Sequence, residues 1–271
     1  MSNQQFDEVE REAREQGVNL WSCPTCGNKP DHPMPVGEPV PDVVGWASST
    51  YRYLGKDYPC DCAGQIELAR HYLLAHIPER YWRLGKPEYF GDKQGWRETE
   101  GYLAGWPDFK RFGLGLEFHS ATQGSGKTLL VSWIARQLIQ AGEAVYYTRF
   151  REVIGLYNMP YDEQHALAKR LSHTTVLVLD EVGGAISDAQ RKFWALEFED
   201  LMRSRVDGNR VTLMTTNLMP EQMDEDYRRT YSLLCATQHR YEMKGVDVRR
   251  SNEVHRKDLE LIENKETRPI C

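Results

Sequence analysis

The chain has 271 residues, of which 40% are hydrophobic and 27% charged, and a formal charge of −6. This composition suits a globular core with a small appendage, and the acidic balance excludes a uniformly basic nucleic-acid coat. The longest apolar runs, such as 129–134 and 175–179, fall far short of the roughly 20 residues that a bilayer span needs, and the polar start reads as no secretory signal.

Residues 5–16 are polar and helix-prone, with few side chains to bury. Cys23-Pro24-Thr25-Cys26 forms a turn that can set two thiolates on one metal, and Cys60-Asp61-Cys62 can supply two more, completing a tetrahedral Zn²⁺ site. His32 is a substitute ligand, and free surface thiols are the competing reading. A chain without an export signal is expected to keep its thiols rather than form disulfides. Four protein ligands leave no position for water, so such a zinc would be structural. It would hold a segment whose Pro- and Gly-rich stretch, 28–42, cannot settle into regular structure. Residues 65–76 have helical spacing, stopped by Pro78, and residues 85–105 are rich in glycine and aromatic side chains. The expected division is a zinc-binding module over 1–75 and a core over 76–271.

From residue 113 onward strands and helices alternate. Strands are expected at 114–120, 143–150, 174–180, 210–217 and 240–244. Helices are expected at 126–141, 151–158, 162–171, 187–205 and 226–239. In the helix at 187–205, Ser187 is the expected cap, and Phe193, Leu196, Phe198, Leu201 and Met202 the apolar side. Cys235 reads as a buried apolar residue of the next helix. Continuous apolar strands separated by helices imply an α/β fold with a parallel sheet covered on both faces.

Between the first of these strands and its helix lies Ala121-Thr122-Gln123-Gly124-Ser125-Gly126-Lys127-Thr128, a phosphate-loop pattern in the right context. Gly124 and Gly126 let the backbone turn its N–H groups inward around Ser125. Lys127 supplies a point charge for the β- and γ-phosphates of ATP, and the Thr128 hydroxyl a ligand for Mg²⁺. The pattern usually begins with Gly, and Ala121 stands there, which is awkward if that backbone needs positive φ. The apolar strand Val176-Leu177-Val178-Leu179 ends in Asp180-Glu181, delivering two carboxylates to the sheet edge where ligands of open α/β folds bind. Asp180 would hold the metal, and Glu181 would orient or deprotonate the attacking water. Asn217 ends the next strand at the same edge. It reads either as a simple strand cap or as a hydrogen-bond donor to the γ-phosphate or water, with Thr215 and Thr216 as lesser candidates.

These three elements, in this order, resemble the AAA+ ATPases, and among them the bacterial and phage helicase loaders of the DnaC/DnaI type. The likeness extends to Ile77-Pro78-Glu79-Arg80-Tyr81-Trp82, Leu179-Asp180-Glu181-Val182-Gly183, Thr215-Thr216-Asn217-Leu218 and Gly245-Val246-Asp247-Val248-Arg249. The resemblance implies that Asn217 is a sensor residue, that Arg249 reaches the nucleotide, and that the stretch around Ile77–Tyr81 lies near the adenine. It also implies a replicative hexameric helicase and single-stranded DNA as partners, and homo-oligomerisation in the ATP-bound state. Leu233 stands where many relatives place an arginine finger, with Arg228, Arg229 and Arg240 nearby, so slow intrinsic hydrolysis is expected. Charge is uneven in a way that bears on DNA. Residues 1–62 carry ten Asp/Glu against five Lys/Arg, and residues 227–257 carry eight Lys/Arg against three Asp/Glu. The basic stretch is either a solvated face or a phosphate-binding surface. Two rival readings remain: a transposition helper ATPase of the IstB type, which shares the core, and a non-catalytic nucleotide-binding adaptor.

Overall fold

The computed structural model describes residues 51–53, 56–58, 68–69, 71–155, 160–183, 188–245 and 247–248. Cys23, Cys26, His32, Cys60, Cys62, Ser187 and Arg249 lie outside them. The chain contacts define two compact units, one holding the described residues up to Arg83 and the other those from Leu84 onward. In the first, β1 (Tyr51–Tyr53) and β2 (Lys56–Tyr58) pair antiparallel. There too the Trp82 indole donates to the Ile77 carbonyl at 2.8 Å. No helix among the described residues is long and apolar enough to cross a membrane.

The second unit begins with a helix pair, α1 (Lys93–Ala104) and α2 (Trp106–Phe112). It continues as β3 (Gly115–His119), α3 (Lys127–Gln140), β4 (Val145–Arg149), α4 (Phe150–Gly155), α5 (Tyr161–His173) and β5 (Val176–Val182). Next come α6 (Asp188–Asp207), β6 (Val211–Thr216), α7 (Pro220–Thr237) and β7 (Gln238–Glu242). The sheet order is β4-β5-β6-β3-β7, and every neighbouring pair is parallel. Each connection is therefore a crossover, and all five strands end on the same edge. All of β3 and β6 and six of the seven residues of β5 are buried, which is why Val176–Leu179 reads as an unbroken apolar run.

Packing fixes the crossovers in place. Phe150, Phe198 and Tyr227 meet edge-on, with ring centroids 5.1–6.2 Å apart, inside a cluster that includes Leu179, Met202 and Met214. The buried Arg205 guanidinium ties α5 to β6: it donates to the carbonyls of Leu171, Thr174 and Val211 and to the Thr212 hydroxyl.

Several expectations need correction. The stretch 85–105 contains α1, which the glycines disguise. Asp92 caps that helix by accepting from the Gln94 N–H at 2.9 Å, and Gly95 is where a Cβ would meet Met243 Sδ at 2.7 Å. Helix α7 starts at Pro220, not near 226, because Tyr227 is kinked (φ −136°, ψ 38°) and interrupts the helical period. On α6 the buried side is Trp194, Phe198 and Met202, spaced by four, while Phe193 and Leu196 are exposed. Cys235 is exposed as well, since its neighbour Leu234 takes the inward position.

Candidate nucleotide-binding site

The loop after β3 and the end of β5 meet at the C-terminal edge of the sheet. Thr128, in the first turn of α3, donates its hydroxyl to Asp180 Oδ1 at 3.1 Å across 52 positions of sequence. Gly124 and Gly126 have positive φ (73° and 94°), and at Gly126 a Cβ would also strike the Tyr89 ring at 2.8 Å, so glycine is required there twice over. Ala121 is not among the described residues with positive φ, so its methyl group carries no backbone strain. Lys127 is buried and folds into the loop. Its ammonium donates to the Thr122 carbonyl at 3.0 Å, the Ser125 hydroxyl at 3.1 Å and the Ser120 carbonyl at 3.4 Å. The Val248 N–H donates to the Gly124 carbonyl at 3.1 Å, so the chain just before Arg249 lies on the loop.

Asp180 is 2% exposed, and three hydroxyls hold it. Thr128 and Thr215 donate to Oδ1, and Tyr147, from the neighbouring β4, donates to Oδ2 at 2.5 Å. Hard oxygen donors at the start of a helix are the ligand type that Mg²⁺ selects, so Thr128 and Asp180 fit that ion. Glu181 is exposed and has φ 58°, a left-handed conformation that costs a non-glycine residue about 1–3 kcal/mol. The pairing of β5 with β6 shifts register between Leu179 and Val182, and the Glu181 N–H donates to Thr215 Oγ1 at 3.0 Å. That irregularity turns Glu181 outward where strand alternation would bury it or crowd its neighbour.

Thr215 and Thr216 are both buried with their hydroxyls engaged, Thr216 donating to the Val182 carbonyl at 2.7 Å. Asn217 is the exposed residue at this strand end. Above the loop, Asp92 accepts from the Tyr241 hydroxyl at 2.9 Å and the Lys244 N–H at 2.8 Å, binding the end of β7 to the start of α1. Burial works to raise the Asp92 carboxyl, but these donors together hold it below its ordinary value. Tyr89 packs on Trp96, with centroids 5.3 Å apart. The sequence reading singled out neither Tyr89, Asp92 nor Tyr147. All three act across elements distant in sequence, and no local motif announces them.

Among the candidate arginines, Arg240 is committed elsewhere: it donates from Nε and Nη2 to the buried Glu117 at 3.1 and 2.9 Å. Arg228 and Arg229 on α7 are exposed, each beside a carboxylate at 3.8–3.9 Å. Among the described residues no group of His, Cys, Asp and Glu is arranged to hold a metal ion.

No family model matches the chain, and no curated protein does. Solved structures do. The DnaC helicase loader aligns over 62% of this chain and 100% of its own, at 19% identity and a TM-score of 0.52. The core has a DnaC-type AAA+ fold. DnaI aligns over 62% of this chain and 95% of its own (21% identity, TM-score 0.48). The replication initiator DnaA, solved with AMPPCP and single-stranded DNA, aligns over 70% and 57% (14% identity, TM-score 0.49). In this core the order of the strands sets the glycine-rich loop on β3, next to the edge strand β7, with the Asp180-Glu181 tip of β5 and the Asn217 end of β6 to the other side of it. At such low identity the likeness speaks to the fold alone.

Proposed function

We propose that the protein is an ATP-dependent helicase loader in which binding and slow hydrolysis of Mg-ATP control the grip on a replicative helicase and on single-stranded DNA. The observation that carries the ATP site is the meeting of Thr128 and Asp180: a buried carboxylate beside a phosphate loop, held by hydroxyls and ready for a cation. The loader assignment rests on the shared DnaC fold together with the order of motifs along the chain.

On binding, the Lys127 ammonium would leave its loop carbonyls for the β- and γ-phosphates, exchanging neutral acceptors for charged ones. The loop N–H groups and the start of α3 would hold the β-phosphate. Thr128 and Asp180 would hold the magnesium ion, whose chemistry is to neutralise charge developing on the phosphoryl oxygens. Glu181, exposed at the strand tip, would orient the water and accept its proton, while Asn217 would position that water or the γ-phosphate. Arg249 would reach the nucleotide from the segment following Val248.

The segment up to about residue 75 would dock on the helicase, with Cys23, Cys26, Cys60 and Cys62 holding a structural zinc. DNA would be held by basic residues of the core and C-terminal stretch, with binding that weakens as salt rises. Without an arginine from a neighbouring subunit, turnover would be slow by on the order of a thousandfold.

Binding of ATP to the full chain tests the site. Lys127→Ala should lower affinity about ten- to a hundredfold, the equivalent of losing charged hydrogen bonds. Undiminished affinity in this variant would sink the ATP reading. Purification from the native host, with zinc measured on the same sample, tests the rest. A hexameric helicase should accompany the protein, whereas a transposase would favour the IstB-type helper.

A further inference from the structure

We propose that Tyr147 is a positioning residue for the magnesium ion of this site. Its hydroxyl reaches over from β4 and locks the Asp180 carboxylate with Oδ1 facing Thr128. The inference rests on the Mg-ATP reading above.

The geometry is specific to a long hydroxylated side chain. Tyr147 pairs in register with Val178, and Arg149 is the residue level with Asp180. The side chain must therefore cross an offset of two residues, about 6.6 Å of strand, to reach the carboxylate. Tyr147 is 3% exposed, and its oxygen lies 2.5 Å from Oδ2, the length of a hydrogen bond to an ionised acceptor. Phenylalanine would fill the same space, so the hydroxyl is explained by the carboxylate and not by packing.

A carboxylate offers about four acceptor positions on two oxygens. Oδ1 takes the hydroxyls of Thr128 and Thr215, and Oδ2 takes Tyr147. The torsion that swings a carboxylate about its Cβ–Cγ bond is broad and roughly two-fold, so the threonines alone do not stop it from tilting away from the metal position. A donor on the opposite oxygen does. Tyr147 thus acts through Asp180, at a distance from the phosphates, and affects binding only where the metal takes part.

Tyr147→Phe in the full chain tests this. ATP affinity is measured with Mg²⁺ and again with the metal chelated, for the wild type, Tyr147→Phe and Asp180→Asn, with thermal unfolding of each. The expected result for Tyr147→Phe is metal-free affinity within about twofold of wild type, and a Mg²⁺-dependent gain reduced about tenfold, the scale of one charge-assisted hydrogen bond. Equal losses with and without Mg²⁺ would mark Tyr147 as merely structural and overturn the inference. So would a Mg²⁺-dependent gain that Asp180→Asn abolishes and Tyr147→Phe leaves intact, though the Mg-ATP reading would then stand. No ATP binding by the wild type would overturn both.

Discussion

Two carboxylates are buried in the same parallel sheet and are treated in opposite ways. Glu117, in the middle of β3, meets Arg240 of β7 in a two-pronged ion pair, with His119 Nδ1 3.4 Å away. Asp180, at the end of β5, is about as buried, yet among the described residues its partners are hydroxyls. Glu117 has its counter-charge built in. Among the described residues the Asp180 carboxylate is met by neutral donors, which suits a site that receives a cation from solution. Position along the strand decides between the two: Glu117 in mid-strand faces packed neighbours, and Asp180 at the strand end faces the edge where the glycine-rich loop turns.

Removing one group from each site breaks or sharpens that contrast. Arg240→Met should cost about 3–5 kcal/mol in denaturant unfolding, because it strands Glu117 in the core without a cation. Asp180→Asn keeps an accepting oxygen for Thr128 and Thr215 and turns an amide N–H toward the Tyr147 hydroxyl, which can rotate to accept it, while removing the charge, so its stability should stay within about 1 kcal/mol of wild type, or rise. If the two variants lose stability equally, Asp180 is a structural carboxylate and the distinction fails.

Much of this was legible in the sequence, for reasons that differ by residue. Lys127 and Thr128 sit in a contiguous pattern, and Asp180 ends an apolar run, so local order alone pointed to them. The parallel sheet followed from strands too apolar to have a wet face, and the structure has it. Tyr147 was not legible, because its role depends on the register between β4 and β5, which no single stretch encodes. Helix α1 was hidden by Gly95, which lies close to the Met243 side chain and reads as a loop signal. The Glu117–Arg240 pair spans 123 positions and joins strands that neither periodicity nor motif pairs. Arg240 had instead been a candidate for the finger.

A smaller effect separates the same two sites by pH. Burial alone would raise the Glu117 carboxyl, but contacts from His119 and Arg240 outweigh it and leave the group below its ordinary value. Its stabilising contribution is thus fully present above the unfolded glutamate value of about 4.3 and is lost as pH falls through the lower folded value. Between the two values the unfolded chain binds the extra proton, so stability falls on acidification. Glu117→Gln should flatten the slope of unfolding free energy against pH below about pH 4. An unchanged slope would mean that the pair contributes nothing to acid sensitivity.

The smallest expected effect lies on α6, where sequence and structure disagree about the inward face. The helical pattern can be drawn through Phe193 and Leu196, but the buried stripe runs through Trp194, Phe198 and Met202, and Leu196 is 56% exposed. Removing an exposed leucine gives up little apolar burial and opens no cavity, so Leu196→Ser should change unfolding free energy by no more than about 0.5 kcal/mol. A buried leucine would cost about 2–5 kcal/mol on truncation. A loss of that larger size would rotate α6 by roughly half a turn relative to β6. It would also move Glu199, which meets Arg203 at 2.7 Å and Arg229 of α7 at 3.8 Å. Helix α7 ends directly in β7, the strand that holds Arg240 against Glu117, so this mildest substitution also checks the frame on which the buried ion pair depends.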